Sequence, residues 1–127
     1  MSETGGILIV EADLLVRHPL AEYLRECGYQ VTEALDLEEA KVLLASSALS
    51  IDIVLAAGPQ GFALASWLRG AHPSVEIILA GTVARATERA GELCAEGPAE
   101  HKPHDHKHVL EEIRRLMRAR AARQAGK

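Results

Sequence analysis

Aromatic residues make up only 3% of this 127-residue chain: one Trp, two Tyr and one Phe. Proteins that grip single strands of nucleic acid stack bases on such rings, so no stacking platform is expected. Cysteine is equally scarce. Cys27 and Cys94 are too few for a disulfide framework or a zinc ribbon, and the expectation is a cytoplasmic chain with reduced thiols. Long apolar runs are missing, since none exceeds five residues where a membrane helix needs roughly 20. Met1 to Gly6 has neither a basic stretch nor an apolar core, so no secretory signal is expected there. The sequence offers no P-loop, no GxGxxG and no recognisable Ser-His-Asp or Cys-His set.

What is present suits one globular domain. The chain is 13.7 kDa, 48% apolar and 25% charged. The reading is a single domain over 1–127, with a core of about 6–122 and a frayed tail at 123–127. The net charge of −4 hides an asymmetry. Residues 1–100 hold 15 acidic and 6 basic side chains, and residues 101–127 hold 3 and 8. Cations near the end of a last helix suit its dipole, and no groove-reading module accompanies them, so direct nucleic-acid binding is not expected.

Short apolar runs alternate with amphipathic ones. Ile7–Val10, Tyr29–Ala34, Ile51–Ala56 and Val75–Ala80 read as strands, with Gly97–His101 a weaker fifth. Helices are expected over Leu14–Cys27, Leu37–Ser46, Phe62–Arg69, Thr82–Glu96 and His106 to about Ala122. Asp13, Asp36 and Asp105 are placed as N-caps, and Gly28 and Gly70 as stops. Pro19 should fall near the start of the first helix, where a missing N–H costs least. Five strands, each followed by a helix, imply a parallel sheet wound on both faces by right-handed crossovers. Ligands in such α/β sheets bind beyond the carboxyl ends of the strands. Those ends are Glu11-Ala12-Asp13, Ala57-Gly58, Ala80-Gly81-Thr82 and Lys102-Pro103.

Here the chain resembles the receiver domain of two-component response regulators, over about residues 6–120. The start carries the resemblance best: Ile7-Leu8-Ile9-Val10, an acidic position, Leu15-Val16-Arg17, then Leu20 to Leu24 and Gly28-Tyr29. Lys102-Pro103-His104-Asp105 before Leu110-Glu111-Glu112-Ile113 looks like the family's turn into its last helix. The resemblance implies a flavodoxin-like fold with strand order 2-1-3-4-5. It also implies a pocket in which two acids and an aspartate gather Mg²⁺. The aspartate takes a phosphoryl group, a Thr or Ser contacts it, and a lysine pairs with its charge.

Position by position, the first acid matches Glu11, but the second matches Ala12, the phosphoacceptor Ala57 and the Thr/Ser position Ala80. Lys102 alone is otherwise kept, and the aromatic switch position falls at Ala99. Alanine has no oxygen to attack phosphorus or hold a cation. Asp13 is one residue off, Asp52 lies at the wrong end of its strand, and Thr82 is a poor substitute nucleophile. The expectation is therefore a degenerate receiver with no catalytic residue and no cofactor, its Mg²⁺ site degraded. Lys102, without a phosphoryl group, is free to pair with Glu11, and the resemblance allows a cis Lys102-Pro103 bond.

Signalling by protein contact is the function this implies, the partner being a histidine kinase, another receiver (a homodimer included) or an output protein. No DNA-binding output domain is expected after residue 122. In the family the fourth helix, fifth strand and last helix form the partner face, which here presents Arg85, Glu88, Arg89, Glu92 and His106. Two alternatives stand beside this: a receiver phosphorylated on a non-standard residue, and a metal- or pH-sensing module built on His101, His104, His106 and His108. His104 and His108 are four apart, but Asp105 as N-cap leaves His104 outside the helix. Trp67 reads either as a half-buried core residue or as an exposed contact.

Overall fold

A computed structural model describes residues 5–126. Nine elements follow one another: β1 (Gly6–Val10), α1 (Leu14–Glu26), β2 (Gln30–Ala34), α2 (Leu37–Ala45), β3 (Ile53–Ala57), α3 (Gly61–Ala71), β4 (Glu76–Ala80), α4 (Val83–Ala95) and α5 (His106–Ala125). The strands form one parallel sheet in the order β2-β1-β3-β4. All four strands read as confident in the sequence are there, within two residues of their expected ends. β1 is buried along its whole length, as a central strand covered on both faces must be.

Strand parity sorts the core into two layers. Ile7, Ile9, Leu55, Ile78 and Ala80 face α1, α4 and α5. Leu8, Val10, Val54 and Ala56 face α2 and α3. Caps fall where expected: Asp13 accepts from the Leu15 amide at 3.0 Å, Asp36 from Glu39 at 2.9 Å and Asp105 from Lys107 at 2.8 Å. Pro19 lies inside α1 rather than in its first turn. Trp67 is half-buried against the α2–α3 layer, with the Lys41 ammonium 5.6 Å from its ring centre.

Four expectations need correction. The fifth strand does not form among the described residues, so the order stops at 2-1-3-4. Pro98 has no N–H to give a ladder, the Gly97 amide is spent on the Cys94 carbonyl, and the Ala99 amide reaches the Cys27 carbonyl. Gly70 does not stop α3, which runs on to Ala71 before the His72 amide closes on Leu68. α5 runs to Ala125, past its expected end, because the Arg- and Ala-rich stretch keeps good helix formers throughout; Lys127 lies outside the described residues.

The thiols are the fourth. Cys27 and Cys94 are joined in a disulfide, with Cα atoms 5.2 Å apart, and are not free. α4 packs on the same sheet face as α1, so the C-terminal ends of the two helices meet. Around this junction Gly28 takes φ +101°, and a Cβ there would stand 2.7 Å from Pro98, so both conformation and space require glycine.

Candidate functional site

The carboxyl ends of β1, β3 and β4 place Glu11, Ala57 and Ala80 together. Ala57 and Ala80 are register partners, and the Gly58 amide donates to the Ala80 carbonyl at 3.1 Å. The Glu11 carboxylate reaches toward Gly58, where a Cβ would sit 3.8 Å from its Oε1. Ala12 follows, exposed, in the β1–α1 turn.

Glu11, Asp13, Arg17 and Thr82 around this edge each have a partner. Glu11 accepts from the Asp13 amide at 2.7 Å. Burial pushes the Glu11 carboxyl above its usual range, against the pull of that amide. Asp13 caps α1 and also takes both guanidinium nitrogens of Arg120, at 3.0 and 2.8 Å. The Arg120 fork holds the Asp13 carboxyl below the ordinary aspartate value. Arg17 donates to the Glu11 carbonyl and to Glu33, at 2.9 and 3.1 Å. Thr82 accepts from the Arg85 amide at 3.1 Å as the cap of α4.

Lys102 does not join them. Its Nζ donates to the Gly97 carbonyl at 2.8 Å, and Gly97 packs against the Cys27 carbonyl and the Tyr29 ring. That is the amino end of the sheet, opposite to Glu11, so the expected Glu11–Lys102 pair is not formed. The cause is the missing fifth strand, which would have carried the lysine back to the carboxyl edge. Ala99 sits in the same irregular segment rather than in a strand. The Lys102-Pro103 bond is trans, like every peptide bond among the described residues.

The expected partner face is likewise rearranged. Arg85 pairs with Glu88, and Arg89 with Glu92 at 2.6 Å, along α4. His106 is half-buried between α4 and α5, against Gly91. His104 stacks edge-on to His108, with ring centres 5.3 Å apart, and lies 6.0 Å from Tyr23. The described residues contain no group of three or more His, Cys, Asp or Glu side chains placed to hold a metal ion.

One feature went unread in the sequence. α1 and α5 enclose an open groove of about 1210 Å³. Leu14, Leu15, Pro19, Tyr23, Val109 and Leu116 form its apolar part, and Glu22, Glu26, Glu111 and Glu112 its acidic rim, with His18, His104, His108 and Arg115 between. Leu14 remains 56% exposed there. An apolar residue at the start of α1, off the stripe set by Val16, Leu20 and Leu24, was the available signal.

No family model matches the chain, and no curated protein does. Solved structures do. The non-phosphorylated HemR receiver domain from Leptospira biflexa is 27% identical, with 89% of this chain and 94% of that one covered at a TM-score of 0.54. The MaeR response regulator bound to beryllium trifluoride is 26% identical over 91% and 99%, at a TM-score of 0.54. The chemotaxis response regulator CheY4 of Vibrio cholerae is 17% identical over 89% and 98%, at a TM-score of 0.56. The chain therefore has the α/β fold of response-regulator receiver domains, with a four-stranded sheet among its described residues. No helix among these residues is long and apolar enough to cross a membrane.

Proposed function

We propose that this chain is a degenerate receiver domain that works in two-component signalling by protein–protein contact, without phosphorylation at the usual position. The observation that carries the reading is Ala57 at the carboxyl end of β3, beside Ala80, where the fold would hold a nucleophilic aspartate and its hydroxyl partner. The surrounding acids support it. Asp13 is committed to Arg120 and to the α1 cap, and Glu11 alone offers too few oxygens for Mg²⁺. A histidine kinase, another receiver or an output protein is the partner class, and the α1–α5 groove offers one an apolar floor with an acidic rim. We keep a cytoplasmic setting in this reading. The Cys27–Cys94 bond, with Cys27 fully buried and Cys94 nearly so, would there be reached by reductant only when α4 opens locally.

Incubation with acetyl phosphate and Mg²⁺, read by intact mass, tests the proposal. The expected outcome is an unchanged mass. A stoichiometric phosphoryl adduct would overturn it in favour of a non-standard acceptor, and peptide mapping would then locate the residue.

A further inference from the structure

We propose that the outer edge of β4 is a self-association site, and that its occupant is the β4 strand of a second copy, paired antiparallel about a two-fold axis at Ile78. Among the described residues β4 has a neighbour on one side only, β3. The Glu76 amide donates to the Asp52 carbonyl, and the Ala80 carbonyl accepts from the Gly58 amide. Both bonds run to the β3 side. By the alternation of a strand, Glu76, Ile78 and Ala80 turn their backbone groups inward to β3. Ile77 and Leu79 turn theirs outward, where no described strand meets them.

Apart from Glu76 at its first position, this edge lacks the usual protection. Glu76-Ile77-Ile78-Leu79-Ala80 contains no proline, no lysine and no bulge. Natural edges carry such devices because bare backbone groups recruit another strand. Leu79 is 42% exposed and packs on Gly61 at the start of α3, and its neighbour on that helix, Phe62, is 77% exposed. The segment after α4 does not cover the edge: its Ala99 amide is bonded to Cys27 beside α1.

The register follows from parity. Within β4 the outward groups are those of Ile77 and Leu79, and both are used when each faces the other across the axis. A two-fold at Ile78 does this: Ile77 pairs with Leu79 of the second copy, and Leu79 with its Ile77, each pair exchanging two bonds. A two-fold at Ile77 would bring Leu79 opposite Val75, whose amide is already spent on the His72 carbonyl. About Ile78 the side chains also agree. Glu76 faces Ala80 rather than another glutamate, and Ile77 and Leu79 of both copies make one apolar strip on the α3 side. The result is an eight-stranded sheet in which the two-fold closes the β4 edges on each other.

The pairing deepens the contact-module reading by naming one partner, yet the two fail separately. Phosphoryl uptake would leave the dimer standing, and a monomer would leave the mass result untouched. The test combines sedimentation equilibrium with amide exchange on the intact chain. Expected are a reversible dimer, protected Ile77 and Leu79 amides, and an inter-chain Hα–Hα contact between the two Ile78 residues in a mixed-isotope sample. Leu79→Lys should weaken association about tenfold or more by setting a charge on the strip. Since the wild-type contact is read directly, the inference does not depend on that variant folding. A monomer at all concentrations overturns it. So does a dimer whose Ile77 and Leu79 amides exchange freely, which puts the interface elsewhere. Protected amides in a monomer also overturn it, because residues 97–101 would then be filling the edge.

Discussion

Reducing the Cys27–Cys94 bond should cost this domain a large part of its stability. The bond spans a sequence separation of 67. A crosslink restricts the unfolded chain more as its loop lengthens, and the chain-entropy relation gives about 4 kcal/mol for a loop of this size. Domains of this class have a total of roughly 5–15 kcal/mol, so the bond alone decides whether the oxidised chain is comfortably or marginally folded. The native packing argues that little of this is returned as strain. Cys27 and Cys94 belong to the same buried cluster as Leu24, Ala90 and Leu93, and their Cα atoms lie 5.2 Å apart, within the usual range for a disulfide. Urea unfolding followed by circular dichroism, with and without reductant, gives the measurement. With a slope of about 2 kcal/mol per molar, the midpoint should fall by roughly 2 M on reduction. The variant Cys27→Ala/Cys94→Ala should unfold with the reduced chain. Alanine is preferred to serine, whose hydroxyls would be buried without partners. Coincident curves for oxidised and reduced protein would refute the reasoning, and so would two titratable thiols in the untreated, denatured chain.

Three further outcomes follow from single contacts. Because Arg120 holds the Asp13 carboxyl below its usual 3.8, the pair stabilises the fold above that pH and is lost as pH falls through the lower folded value. Arg120→Ala should move the Asp13 titration, followed by carboxyl NMR, back up toward 3.8, and an unmoved titration would refute the pairing. For Glu11 the sign reverses. Burial raises its carboxyl, so its contribution is full below 4.5 and is lost as pH rises through the folded value. Glu11→Gln, which keeps an oxygen for the Asp13 amide, should raise Tm slightly at pH 7 and leave it unchanged well below pH 4.5, as read by thermal melts. Two helical glycines should respond oppositely to alanine. Gly91→Ala forces a Cβ to 2.5 Å from the His106 ring and should cost about 1–3 kcal/mol in urea unfolding. Gly70→Ala, with nothing within 4 Å, should gain about 0.5–1 kcal/mol.

The elements were legible because they are local. Ile7–Val10 is apolar without interruption, Asp13, Asp36 and Asp105 stand at three helix starts, and each signal needs only its neighbours in sequence. The carboxyl edge was legible for the same reason, since strand ends fix which residues reach it. Glu11, Ala57 and Ala80 do meet there. What could not be read locally was which face a helix chooses. α4 carries Ala86, Ala90 and Leu93 on one stripe, and that stripe fits either side of a sheet. Gly97–His101 contains no β-branched residue, and Pro98 decides against a strand there. The groove was missed because it belongs to two helices a hundred residues apart in sequence, each unremarkable alone.

These departures share one cause. A crossover is held to one hand and one face only when a parallel strand waits at its end. With no fifth strand, α4 need not lie beside α3, and the small residues Ala86, Ala90 and Gly91 let it pack closely against α1 and α5. That placement brings Cys94 to Cys27, and the segment after it is tied to the end of α1 by the Ala99 amide. Lys102 follows that segment to the amino end of the sheet and bonds Gly97. The carboxyl edge is then left without its lysine, and the guanidinium that answers its acids comes from far down α5, as Arg120 on Asp13. The same absence strips β4 of its outer neighbour.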